Sequence, residues 1–91
     1  MGVVADSLKR KLDAALTPTR LEIVDDSARH AGHAGSREGG ETHFNIVIAS
    51  AAFSGVGRVQ RQRMVYAALA EELAGPVHAL TVKALAPGEA R

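Results

Sequence analysis

The chain has 91 residues, of which 46% are hydrophobic and 23% are charged, and its formal net charge is +1. This length predicts one domain, and so balanced a charge gives no reason by itself to expect a nucleic-acid partner. The chain has no cysteine, which excludes disulfides, thiol catalysis and a metal site built from its own thiolates.

The first predicted element is an amphipathic helix over residues 3–16. Its apolar side chains fall on one helical stripe: Val4, Leu8, Leu12, Ala15 and Leu16. Thr17-Pro18 ends the helix, because the residue before a proline avoids the helical region. The N-terminus lacks the basic-then-apolar order of a signal peptide, and no apolar run approaches the roughly 20 residues of a membrane span. We therefore expect a soluble cytoplasmic protein with no membrane partner.

Two strands follow, separated by a glycine-rich segment. Residues 20–25 (RLEIVD) predict a short first strand. Residues 28–42 (ARHAGHAGSREGGET) contain four glycines, and we predict a flexible loop whose length is typical of functional or disordered segments. Residues 43–50 (HFNIVIAS) predict a second strand that buries Phe44. His43 then faces the other way, and we interpret it as a structural or surface residue and not as a ligand.

The rest of the chain predicts a turn, a helix and a strand. Phe53 is expected to fill the core from the turn over residues 51–57. The second helix is predicted over residues 58–74, and it ends at Gly75-Pro76, since glycine stops helices and proline cannot continue them. The third strand is predicted over residues 77–85, and a frayed tail or a single turn is predicted over residues 87–91.

The element order α-β-β-α-β predicts a two-layer α+β domain spanning residues 1–91. We expect the first two strands to pair antiparallel and the third to return by a helical crossover. The sheet is then three-stranded and mixed, with both helices on one face.

Three histidines are candidate metal ligands. His78 lies beside a predicted helix break. From the residues alone, the simpler interpretation is a hydrogen-bonded histidine at a strand end, and the alternative is a metal ligand. His30 and His33 lie in the glycine-rich loop, where H-x-x-H alone is a weak metal signal, and a closed zinc site would need further ligands. No nucleophile motif or placed carboxylate pair is present, so we expect a non-catalytic protein.

Arg58, Arg61 and Arg63 cluster at the start of the second helix. They fit a solvated helix face, a phosphate-binding site at the helix N-terminus, or a docking surface for a partner or for the carboxylates of glutathione. Three to six phosphate contacts would give weak, strongly salt-dependent binding.

Several segments, taken together, resemble the BolA family over nearly the whole chain. They are LEIVDDS at residues 21–27, ETHFNIVIAS at residues 41–50, F-x-G at residues 53–55, R-x-R-x-V-Y-x-x-L-x-x-E-L at residues 61–73, and VHAL at residues 77–80. The resemblance implies a KH-like αββαβ fold. It also implies an adaptor that binds a monothiol glutaredoxin and shares a bridging 2Fe–2S cluster with it, in iron–sulfur maturation or iron regulation.

In that role the resemblance assigns one cluster ligand to His78 and a second to the loop, where His30 and His33 are the candidates. The spacing after Ser27 favours His30, whereas His33 is nearer when counted back from the THF segment. The glutaredoxin and its glutathione would supply thiolates, and we expect the free protein to be a monomer. Where similar proteins read R-H-R, this chain has Gln62. Some family members are also described as regulators that bind DNA, which implies duplex DNA as an alternative partner.

Overall fold

The computed structural model describes residues 2–25 and 43–89. Its elements in chain order are α1 (Val3–Leu16), β1 (Arg20–Asp25), β2 (His43–Ala49), a 3₁₀ turn (Ala51–Phe53), α2 (Arg58–Ala68), α3 (Ala70–Ala74) and β3 (Ala79–Leu85). The whole of the predicted loop over residues 28–42, with its histidines, lies outside the described residues. Among the helices of these two ranges, none is long and apolar enough to cross a membrane.

The sheet has β2 at its centre, antiparallel to β1 and parallel to β3. The predicted three-stranded mixed sheet is therefore confirmed. A parallel neighbour requires a crossover connection, and α2 and α3 provide it between β2 and β3. His43 pairs with Ala79 at one end of this ladder, and Ala49 pairs with Leu85 at the other.

The core lies between one face of the sheet and the helices, which confirms the predicted two-layer α+β architecture. Every second residue of β2 is buried, as the strand period requires: Phe44, Ile46 and Ile48. The helices and the 3₁₀ turn contribute side chains with no exposed surface: Leu8, Leu12, Phe53, Val65 and Leu69. In α1 the buried alanine is Ala5, whereas Ala15, which we predicted on the stripe, is exposed.

Two boundaries differ from the predicted ones for reasons that lie in hydrogen bonding. The second helix breaks at Leu69, where φ is −109° and ψ is 20°. The N–H of Leu69 there donates to both the Val65 and Tyr66 carbonyls. β3 begins at Ala79 and not at Val77, because the N–H of Val77 donates to the carbonyl of Glu72 and closes the helix behind it.

The C-terminal tail was predicted to be frayed or to form a single turn, and its described part forms the turn. Pro87 to Glu89 form a turn in which the Glu89 N–H donates to the carbonyl of Ala86 over 3.1 Å. The Glu89 carboxylate in turn accepts from the N–H of Ala86 over 2.9 Å. Residues 90–91 of the predicted tail lie outside the described residues.

Candidate functional site

His78 stands at the rim of the sheet, between the end of α3 and the start of β3. Val77 before it is buried, and its N–H is held by Glu72. Ala79 after it pairs with His43 of β2. The backbone is therefore fixed on both sides of His78, while its side chain is exposed. An exposed imidazole on a fixed backbone can offer a ring nitrogen to a metal held by another molecule.

His43 is brought against His78 by the pairing of β2 with β3. The two ring centroids are 6.1 Å apart, and the ring planes are inclined by 13° in a stacked arrangement. His43 is half-buried, and Phe44 beside it is directed into the core. The strand period predicted that His43 and Phe44 face opposite ways, but no local pattern connects His43 with His78. Their contact depends on a parallel strand register that links residues far apart in the chain.

The loop candidates, His30 and His33, lie outside the described residues. Asp25 and His43 are the described residues that flank the segment over residues 26–42. Asp25 pairs with Phe44 and His43 pairs with Ala79, so both flanking residues lie at the end of the sheet that carries His78.

A self-contained metal centre is not formed by the two described ranges. Within residues 2–25 and 43–89, no group of three or more His, Asp or Glu side chains is placed to hold one ion. His78 is thus a single exposed donor with a second imidazole stacked on it. Such a donor fits a metal group that another molecule largely coordinates, because protein metal sites commonly use about four ligands.

The three arginines predicted as one basic surface are divided by the structure. Arg58 and Arg63 are exposed, as is Gln62 between Arg61 and Arg63. The first turn of α2 carries no acidic residue, so nothing in that turn offsets the positive end of the helix dipole. Arg58 and Arg63 are therefore the members of the cluster that an anion could reach.

Arg61 does not belong to this exposed surface, and its predicted role there is corrected. Its residue surface is only 9% exposed. Its guanidinium donates to the carbonyls of Val56 and Ala84 over 2.7 and 3.1 Å, and to both carboxylate oxygens of Glu89 over 2.6 and 2.9 Å. This bidentate pair raises the pKa of Arg61. Together with the N–H of Ala86, it lowers the pKa of Glu89 to about 2. Arg61 thus ties α2, β3 and the C-terminal turn together.

The basic residues of α1 are also engaged within the molecule. Lys9 pairs with Asp13 over 2.6 Å. Lys11 bridges from α1 to α3, where it contacts Glu71 and lies 2.9 Å from the carboxylate of Glu72. The hydrogen bond to Glu71 raises the pKa of Lys11 and lowers that of Glu71. Glu72 is buried under this contact.

A family model described as BolA-like protein matches residues 12–89 of this chain. BolA-like protein 1 of Homo sapiens is 45% identical over 91 residues, which are 100% of this chain and 64% of the human protein. The DNA-binding transcriptional regulator BolA of Escherichia coli strain K12 is 44% identical over 80 residues, which are 88% of this chain and 72% of that protein.

Solved structures show the same architecture. The BolA domain of SufE1 from Arabidopsis thaliana superposes with a TM-score of 0.88 at 41% identity, and the match covers 99% of both chains. The chain spans slightly less than two thirds of the length of its mammalian relatives. What those longer proteins do as a whole therefore does not follow for this chain from the match alone.

Proposed function

The chain belongs to the BolA-like protein family, and from this premise we propose that it is an adaptor for a monothiol glutaredoxin. In this role it binds the glutaredoxin and completes a bridging 2Fe–2S cluster, with His78 as one ligand and His30 or His33 as a second. The partner and its glutathione supply thiolates. The observation that carries the proposal is the exposed ring of His78 on a backbone fixed by Val77 and Ala79.

The donor chemistry of the described residues fits such a shared cluster. The chain has no cysteine, so its contribution must come from nitrogen or oxygen donors. Neutral imidazole is a suitable ligand for iron. Histidine in place of thiolate would raise the reduction potential of such a cluster. His78 is exposed at the rim of the sheet, where a partner's surface can approach it.

The residues before and after His78 fix different parts of its backbone geometry. The buried side chain of Val77 and its bond to Glu72 fix the point at which the chain leaves α3. The pairing of Ala79 with His43 then sets the direction in which the chain enters the sheet. These two adjacent anchors fix the backbone at His78 and leave its side-chain rotations as its main freedom.

A titration of cluster-loaded monothiol glutaredoxin with this protein tests the proposal. We expect the unmodified protein to change the visible absorption and circular dichroism of the cluster as the heterodimer forms. His78→Ala should weaken formation of that species by at least about tenfold, because loss of a ligand should cost no less than loss of a group that supports one. Of His30→Ala and His33→Ala, one should reproduce the effect.

The matched control for this titration is Thr81→Ala, an exposed residue of β3 close to His78 in sequence. We expect it to behave like the unmodified protein. The ligand assignment is wrong if His78→Ala gives the unmodified spectrum at the same protein concentrations. The adaptor proposal as a whole fails if the unmodified protein neither binds the glutaredoxin nor alters its spectrum.

A second function, binding of duplex DNA, is favoured by one structural observation and one relative. Arg58 and Arg63 are exposed on a helix whose first turn carries no acidic residue. The E. coli relative is named as a DNA-binding transcriptional regulator. Arg61 is buried, and Lys9 and Lys11 of α1 are paired with carboxylates, so the exposed surface offers few phosphate contacts. Its binding would therefore be weak and sensitive to salt.

The double variant Arg58→Ala/Arg63→Ala tests DNA binding by fluorescence anisotropy over a series of salt concentrations. Each phosphate contact contributes about 0.9 to the slope of log K against log salt, so the variant should lower the slope by about 2. Gln62→Ala, an exposed neutral neighbour on α2, is the control and should not change it. Two results would contradict DNA binding. One is absence of binding near 0.1 M salt, where the Debye length is about 10 Å. The other is a salt slope that is the same in the double variant and the unmodified protein.

A further inference from the structure

The stacked pair of His43 and His78 is a feature that the proposed function does not yet use. The centroid separation of 6.1 Å lies within the range of about 4.5–7 Å at which aromatic rings interact favourably. The two rings come from different strands, and the parallel ladder that pairs His43 with Ala79 brings them together. The contact is thus built by the sheet itself.

From this contact we infer that His43 is a positioning residue for His78, with its ring restricting the orientation in which His78 presents a nitrogen to the partner's metal group. The inference rests on the proposed function, because it concerns how the same ligand is presented. Groups that orient a ligating histidine commonly affect metal affinity by about 10- to 100-fold. Such groups are usually hydrogen-bond acceptors, and here the orienting group is an aromatic ring.

The two histidines differ in how firmly their own surroundings hold them. His43 is half-buried in the central strand and is followed by Phe44, which is 2% exposed. His78 is exposed and precedes the first residue of β3. The second side-chain torsion of a histidine has a broad energy profile, so an exposed ring samples many orientations unless a neighbour restricts it. His43 is the firmly held member of the pair and can serve as that neighbour.

The geometry also indicates that His43 orients the ligand and does not act as a co-ligand. The lone pair of an imidazole nitrogen lies in the plane of its ring. Because the two planes are inclined by only 13° and the rings are stacked, their lone pairs lie in two nearly parallel planes and do not converge on one ion. Joint coordination would require one ring to turn and would break the stack.

Three substitutions of His43 separate positioning from ligation. His43→Phe keeps a flat ring and removes both nitrogens, whereas His43→Leu and His43→Ala remove the ring. In the titration with cluster-loaded monothiol glutaredoxin, we expect Leu and Ala to weaken formation of the heterodimer species by about tenfold. We expect Phe to stay within about twofold of the unmodified protein. Thr81→Ala is again the control.

A second readout uses the free protein, with no glutaredoxin present. In the NMR spectrum of the unmodified protein we expect nuclear Overhauser contacts between the ring protons of residues 43 and 78. They should persist in His43→Phe, and the His78 ring signals should move in His43→Leu but not in Thr81→Ala. The leucine variant keeps an apolar side chain at a strand position, so it provides the ringless comparison if His43→Ala does not fold.

The outcomes distinguish failure of the inference from failure of the proposed function. Equal loss in His43→Phe and His43→Leu would show that a nitrogen of His43 is required, and would overturn the positioning role. Behaviour of His43→Leu like that of the unmodified protein would show that the ring has no role. If His78→Ala itself is without effect while the ring contacts are present, then the proposed ligand is wrong and the positioning role falls with it.

Discussion

Phe53→Ala is expected to lower the free energy of unfolding by about 3–5 kcal/mol, the usual cost of truncating a fully buried phenylalanine. Phe53 is 0% exposed and is one of the largest fully buried side chains of the described residues. It lies in the short 3₁₀ turn between β2 and α2. This ring, and not a long helix or strand, therefore holds this part of the chain in the core. Domains of this size are stable by about 5–15 kcal/mol in total, and the variant therefore loses a large part of its stability.

Urea denaturation followed by circular dichroism measures this loss. Val59→Ala is the control, because Val59 is 65% exposed and surface substitutions usually change stability by no more than about 0.5 kcal/mol. Phe53→Leu, which keeps most of the apolar volume, should lie between the two. A loss in Phe53→Ala no larger than that in Val59→Ala would contradict the burial of this ring.

The elements that the sequence predicted correctly are those that local patterns determine. The period of α1 and the alternation in β2 follow from which side chains must be buried, and Phe53 was expected in the core for the same reason. The continuous helix over residues 58–74 was wrong because the hydrophobic stripe runs through Leu69 without interruption. Leu69 is 0% exposed, and its side chain is equally suited to an intact helix and to the break that the fold has.

Charged residues were interpreted less well, because their environment depends on distant parts of the chain. Arg61 and Glu72 occur in α2 and α3, and their residue types alone do not distinguish them from Arg63 and Glu71. Their burial follows from partners outside α2 and α3, namely Glu89 for Arg61 and Lys11 for Glu72. One signal was available in the sequence: Arg61 is four residues before Val65 and so falls on the buried stripe.

The candidate site shows the same division between local and distant information. The motif around His78 was visible in the sequence, as was the opposite orientation of His43 and Phe44. The contact between His43 and His78 was not, because it requires both the parallel pairing of β2 with β3 and its register. A register shifted by one residue would turn every side chain of a strand to the other face. The roles of His30 and His33 stay predictions.

Arg61→Ala is expected to destabilise the protein far more than Arg63→Ala, although both remove one arginine from α2. The variant leaves the carbonyls of Val56 and Ala84 without this donor and separates Glu89 from its bidentate partner. These hydrogen bonds are part-buried, so water only partly replaces the donor that the acceptors lose. Arg63 is exposed, so its truncation is the matched control for the loss of charge. Equal denaturation midpoints for the two variants would contradict the structural role of Arg61.

The pH dependence of the stability difference between the unmodified protein and Arg61→Ala measures how much Glu89 contributes to it. The folded-state pKa of Glu89 is about 2, below its ordinary value of 4.5. A lowered carboxyl pKa means that the ionised group stabilises the folded state fully above about pH 4.5, and that this stabilisation is lost as the pH falls through about 2.

The gap in stability between the unmodified protein and Arg61→Ala should therefore narrow from pH 5 towards pH 2. Part of the gap should persist, because the bonds from Arg61 to Val56 and Ala84 do not titrate. Glu89→Gln should show a flatter stability profile across this window in denaturation experiments at fixed ionic strength. A gap that is independent of pH would show that the carbonyl bonds alone carry the effect of Arg61.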